Sequence, residues 1–140
     1  MSNGKPTATT GSLEANKALV RRVYSEWWNA NGNVGSVDEM VRSDFIGHLG
    51  GGKIRTMESL KNDIAVYQTA LEGLREVVND LIAEGDKVVV RYTLYATHTG
   101  DFYGIKPTGK KIEISGIEIF RVEDGKIVEF WHFGEPMDLS

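Results

Sequence analysis

The chain contains no cysteine, which excludes disulfides, thiolate nucleophiles and cysteine-ligated zinc. It has no apolar run near the roughly 18 residues of a membrane span. The N-terminus lacks the apolar stretch of a secretory signal, and a reducing cytoplasm suits the composition. Basic residues do not concentrate: 16 Lys and Arg stand against 20 Asp and Glu, a net charge of −4. The densest basic run is Lys106 to Lys111, too sparse for a phosphate-binding surface, so nucleic acid is not an expected partner. The three histidines, His48, His98 and His132, have no metal-ligand spacing, and no metal is expected. Gly50-Gly51-Gly52 is not followed by the Lys-Ser/Thr of a phosphate loop. No nucleophile elbow is visible, so a Ser-His-Asp reading has no support.

What is present fits one domain with one core: 140 residues, 41% hydrophobic and 26% charged. Residues 1–12 read as a disordered tail and residues 13–140 as the domain. Leu19, Val20, Val23, Tyr24, Trp27 and Trp28 recur at helical spacing, predicting a helix over Leu13 to Ala30 with Ser12 as N-cap. Asn31-Gly32-Asn33 is expected to end it. Ser36 and Glu39 have the spacing of a capping box for a short second helix. Phe45 to Leu49 reads as extended, followed by a glycine loop. Met57, Leu60, Ile64, Tyr67 and Leu71 predict a third helix, stopped by Gly73.

The remainder reads as strands at Arg75 to Ala83, Val88 to His98, Lys111 to Val122 and Lys126 to Phe133. A glycine-rich connection spans Thr99 to Lys110. Helices first and antiparallel strands after them give an α+β domain.

Side chains alternate between the faces of a strand. Val88, Val90, Tyr92, Leu94 and Ala96 form one apolar face that ends in His98. Ile112, Ile114, Gly116, Phe120 and Val122 form another, interrupted by Glu118. A carboxylate on an apolar face is costly unless hydrogen-bonded or functional. A two-residue Asp124-Gly125 loop would place Glu118 opposite Trp131. A three-residue loop with Gly125 in a bulge would pair Val122 with Lys126 and Glu118 with Phe130. The second register gathers Phe120, Val128 and Phe130 on one face and is preferred. It makes Glu118 and His132 diagonal neighbours, roughly 7 Å apart at the backbone.

Val20-Arg21-Arg22, His98-Thr99-Gly100 with Gly104 and Pro107-Thr108-Gly109, and Asp124-Gly125-Lys126-Ile127 carry a family likeness. Over roughly Asn16 to Glu135 the chain resembles the SnoaL-like polyketide cyclases and the related ester cyclases. The resemblance implies a nuclear transport factor 2-like fold: a cone-shaped α+β barrel with three N-terminal helices on a curved, mainly antiparallel sheet. It also implies a cofactor-free enzyme that closes a ring by intramolecular aldol condensation. In that family an aspartate on the last strand acts with a histidine on the preceding one. Here those positions hold His132 and Glu118, a swapped pair.

His132, with an unperturbed pKa of about 6.5, is thus the expected proton carrier, assisted by Glu118. His98 is expected at the pocket mouth, donating to a substrate oxygen or anchoring the loop after it. Tyr24, Trp27, Tyr67, Tyr92 and Phe130 are expected pocket walls, with His48 at a lip near the glycine loop. Glu135 and Asp138 are placed to reach the mouth.

The leading functional expectation is a lyase or isomerase doing acid/base chemistry on a small, apolar, oxygenated substrate. An epoxide hydrolase needs an inward Asp-Arg-Asp set; Arg91 faces the wrong way and no inward Asp pair is apparent. A non-catalytic binding module is the third reading. Ile117, Ile119, Trp131 and Phe133 on the outer sheet face predict a homodimer.

Overall fold

The computed structural model describes residues 10–140. Of the expected tail, residues 1–9 lie outside the described residues. Helix α1 spans Thr10–Glu26, so Ser12 sits inside it and does not cap it. Val20, Val23, Tyr24, Trp27 and Trp28 point into the core, as their spacing requires. The helix ends earlier than the glycine signal suggests, because the chain after it turns to pair with a strand. The Glu76 amide donates to the Trp28 carbonyl at 3.1 Å, and the Ala30 amide to the Leu74 carbonyl at 2.8 Å.

A 3₁₀ turn at Val34–Ser36 leads into the short helix α2, Val37–Met40. The expected capping box does not form. Ser36 Oγ instead accepts the Trp27 indole N–H at 3.0 Å and donates to the Asn33 carbonyl at 3.2 Å. Glu39 pairs with Arg22. A buried indole donor needs an acceptor, and that demand wins over the local cap.

Strand β1 covers Val41–Gly50 and the short β2 covers Lys53–Arg55. Helix α3, Met57–Ala70, starts with a reciprocal Thr56–Ser59 capping box. Strands β3 (Leu71–Glu84), β4 (Lys87–His98), β5 (Lys111–Glu123) and β6 (Lys126–Gly134) follow. They form one six-stranded sheet in the order β2-β1-β6-β5-β4-β3. Only β1 and β6 run parallel, which makes the sheet mixed. It does not close; β2 and β3 are its edges.

The helices pack on one face of the sheet. There Val88, Val90, Tyr92, Leu94, Ala96 and His98 of β4 are all buried, together with Ile112, Glu118, Phe120 and Val122 of β5. The alternation expected for both strands holds because neither is interrupted where they pair. Among the described residues no helix is long and apolar enough to cross a membrane.

Candidate active site

The β5–β6 hairpin sets the site. Asp124 and Gly125 both have positive φ, 49° and 75°, forming a two-residue turn that pairs Glu123 with Lys126. The ladder then slips by one residue. Val122 opposes Ile127, but Arg121 opposes Glu129, leaving Val128 as the extra residue of a β-bulge. Neither expected register is therefore correct. A three-residue turn does not occur, and the bulge after a two-residue turn puts Glu118 directly opposite His132 and Phe120 opposite Phe130.

Glu118 is 7% exposed and fully engaged. Its Oε1 accepts the Tyr24 hydroxyl at 2.6 Å, and its Oε2 lies 2.9 Å from His132 Nδ1. The Tyr92 hydroxyl is also near Nδ1, at a marginal 3.5 Å. The short contact to a carboxylate fixes the imidazole proton on Nδ1 and leaves the Nε2 lone pair available. Burial, followed by the charge of Glu118, pushes the Tyr24 and Tyr92 phenols well above their usual range, so both remain neutral donors. Burial likewise pushes Tyr67 up to about 12.

Glu118 and His132 open onto a cavity of about 930 Å³, within the size range of small-molecule sites. Trp28, Tyr67, Leu94 and Ile114 contribute to its walls, and exposed Phe133, Gly134 and Glu135 to its mouth. Two further polar elements line it. Arg55 of β2 binds Asp63 of α3 at 2.9 Å, and its guanidinium lies 5.5 Å from the ring centres of both Trp28 and Phe130. Asp63 also accepts the hydroxyl of Tyr103 from the 99–110 connection. Glu76 of β3 is the second. It meets the cavity, yet its Oε1 is sealed from solvent and has no hydrogen-bond partner.

The structure thus brings together Glu118, His132, Tyr24, Tyr67 and Tyr92. It does not bring His98 to them. His98 is wholly buried, and its Nδ1 faces the Thr108 hydroxyl at 2.9 Å and the Thr108 amide at 3.2 Å. It anchors the glycine-rich connection and is not among the residues that line this cavity. His48 lies elsewhere too: its Nε2 is 2.7 Å from Glu129 Oε2 and its ring stacks on Trp131. Trp27 is a core residue tied to Ser36, while its neighbour Trp28 meets the cavity. Phe130 does not line the large cavity; it sits behind the site, stacked on Phe120 at 5.6 Å and near the Arg55 guanidinium. Glu135 reaches the mouth, where its Oε1 accepts the Ser115 amide at 2.6 Å; Asp138 does not line the cavity.

Sequence reasoning missed Glu76, Arg55 and Asp63. For Glu76 the signal was the same as for Glu118: Leu74, Glu76 and Val78 alternate, with a carboxylate between two residues of the core layer. For Asp63 it was its place beside Leu60, Ile64 and Tyr67 on the inward side of α3. Arg55 gave none, since a three-residue edge strand carries no readable period. Arg91 points outward to Asp80, at 2.6 Å, as its alternation requires. Among the described residues no group of three or more His, Asp or Glu side chains is arranged to hold a metal ion.

Known proteins resemble the chain in fold and family. A comparison with curated protein sequences returns no match. Among solved structures, a proposed SnoaL-like polyketide cyclase from Jannaschia sp. CCS1 superposes with a TM-score of 0.79. It is 24% identical over 96% of this chain and 92% of its own, a likeness of fold. AclR, a proposed hydroxylase from Streptomyces galilaeus, is 26% identical over 89% of this chain and 77% of its own, with a TM-score of 0.77. IdmH, a proposed polyketide cyclase from Streptomyces antibioticus, is 26% identical over 86% of this chain and 91% of its own, with a TM-score of 0.74. The expected nuclear transport factor 2-like architecture is the one these structures share. The family model for SnoaL-like polyketide cyclases matches residues 18–140. The chain belongs to the SnoaL-like polyketide cyclase family.

Proposed function

We propose that the protein is a cofactor-independent lyase or isomerase, a cyclase that moves protons on a small, apolar, oxygenated substrate held in the cavity. The observation that carries this reading is the Glu118–His132 pair at the cavity wall, with Nδ1 committed to the carboxylate. His132 Nε2 is then the atom free to take a proton, and Glu118 stabilises the imidazolium that forms. A proton next to a substrate carbonyl is the natural target. Removing it sends the carbon–hydrogen electron pair toward the carbonyl oxygen, near neutral phenols and the Arg55 charge. The resulting enol can attack a second carbonyl of the same molecule and close a ring.

The test is turnover of a panel of linear poly-ketones and of any small molecule that co-purifies, followed by mass spectrometry. His132→Ala and Glu118→Gln should each cost at least about a hundredfold in kcat. Full turnover in both variants would overturn the mechanism. A retained ligand with no turnover in the wild type would make the protein a binding module.

Epoxide opening is the second reading, favoured by the inward Arg55–Asp63 pair. It ranks lower because both Asp63 oxygens are taken, one by Arg55 and one by Tyr103, leaving little capacity to activate water. Labelled solvent oxygen in the product would favour it. The exposed Ile117 and Phe133, with half-buried Ile119 and Trp131 beside them, support a homodimer through the outer sheet face.

A further inference from the structure

Enolisation moves two protons, one off carbon and one onto oxygen, and the Glu118–His132 pair supplies only the base. The cavity holds a second carboxyl that this chemistry leaves unused. Glu76 lies on β3 opposite Leu94 of β4, tied by its backbone to the Trp28 carbonyl at 3.1 Å. We propose that Glu76 is the acid of this site: its carboxyl, with one oxygen sealed from solvent and no hydrogen-bond partner among the described residues, hands a proton to an oxygen of the bound ligand. The inference rests on the acid/base reading of the Glu118–His132 pair.

The contrast between the two carboxyls carries the assignment. Glu118 has a donor on each oxygen, from Tyr24 and His132. Glu76 has no donor, and its Oε1 is shut off from water. The residue is half-buried, and the rest of its side chain meets the cavity. Arg55, which also lines the cavity, spends its Nε on Asp63 and lies over two aromatic rings. Burial first, and the neighbouring Glu118 charge second, push Glu76 well above the usual carboxylate range, with Arg55 acting the other way. One carboxyl with two donors and one with none divide into a base-side and an acid-side group.

The ligand is thereby narrowed. A neutral carboxyl offers a hydrogen to an acceptor oxygen, so the fitting class is an uncharged ketone, ester or epoxide. An amine would call for an ionised Glu76, and a carboxylate ligand would face Glu118. In the step, His132 Nε2 takes the proton from carbon and the carbon–hydrogen pair becomes the enol double bond. The carbonyl π pair takes the proton of Glu76. When the enol carbon bonds to the second carbonyl, the new alkoxide takes the proton held by His132, and the regenerated ketone returns its proton to Glu76.

The experiment combines carboxyl NMR with ligand binding. Protein labelled with ¹³C-glutamate, compared with Glu76→Gln, assigns the Glu76 carboxyl signal. It should report a protonated acid at neutral pH. 1-Tetralone and the matching amine, 1-aminotetralin, serve as probes of binding. Glu76→Gln keeps a donor and should hold tetralone within about twofold, whereas Glu76→Leu should weaken it roughly tenfold. Turnover should fall in both. An ionised Glu76 at neutral pH, or tighter binding of the amine, overturns the proposal. The NMR arm needs neither ligand nor the leucine variant, so it decides even if that variant does not fold. Loss of turnover in His132→Ala alongside an ionised Glu76 would sink this assignment and leave the base intact. A protonated Glu76 with full turnover in His132→Ala would do the reverse.

Discussion

Glu118 and His132 are direct cross-strand partners of β5 and β6, and their side chains meet at 2.9 Å on the inner face of the sheet. A carboxylate this enclosed depends on its donors, and it has two. The pair is therefore a structural unit as well as a chemical one.

Removing one donor separates the two roles. Tyr24→Phe strips the 2.6 Å bond from Glu118 and leaves Oε1 unsatisfied in the core. The expected cost is about 1–3 kcal/mol in chemical denaturation. His132→Ala, at a side chain 29% exposed, should cost less stability than Tyr24→Phe and more turnover. The opposite ordering would detach Tyr24 from the support of Glu118.

Stability should depend on pH in opposite ways at different carboxyls. Glu76 is held above its ordinary value of 4.5, so the native state retains a proton that the unfolded chain releases. Its contribution is complete below about pH 4.5 and is lost as pH rises through the folded value. Glu26 and Glu129 are held low, by Arg22 and by His48 respectively, and lose their contributions on acidification. The difference between wild type and Glu76→Gln isolates the first effect. In urea melts the variant should gain on the wild type steadily from about pH 5 to pH 8. A constant gap would show that Glu76 titrates normally.

His98 is expected to act through structure. Its contacts with Thr108 fasten the 99–110 connection to the end of β4. His98→Ala should cost about 2 kcal/mol or more and open that connection to limited proteolysis. Turnover per folded molecule should fall far less than in His132→Ala; an equal loss would return His98 to the chemistry.

Gly116 holds a close approach. A Cβ there would come within 2.7 Å of the Tyr92 hydroxyl and 3.0 Å of the Phe133 carbonyl oxygen. The phenol can move, but the backbone oxygen cannot move without disturbing β6. Gly116→Ala should cost about 1–3 kcal/mol and displace Tyr92 from His132, visible as a shifted His132 ring signal in NMR. An unperturbed ring would show that the strand gives way instead.

The outer face offers a test of assembly. Ile117 is 43% and Phe133 62% exposed in the single chain. Light scattering should give a dimer mass for the wild type and a monomer for Ile117→Glu. A wild-type monomer at micromolar concentration would count against the interface.

Much of this was legible in the sequence, and the exceptions share a cause. The β4 and β5 faces were readable because those strands pair without interruption, so parity survives from Val88 to His98. The approach of Glu118 to His132 was foreseen as diagonal, and the bulge at Val128 made it direct. Bulges leave no reliable trace in an apolar pattern, since Ile127 and Val128 are both buried whichever is the extra residue. Strand β3 slips twice, between Glu72 and Arg75 and between Val78 and Asp80. Its short alternating stretch around Glu76 was correspondingly easy to overlook. Ser36 and His98 show the other limit: their local motifs were visible, but distant partners, Trp27 and Thr108, decide what they do.

The single inserted residue in β6 has an evolutionary reading. Because side chains on a ribbon change sides with every step, a ladder that kept Val128 as an ordinary paired residue would turn His132 outward and set an indole, Trp131, opposite Glu118. One backbone irregularity thus separates a histidine wall from an aromatic one on the same scaffold. Relatives in which a hairpin of the same length pairs without the bulge are where a different wall should be sought.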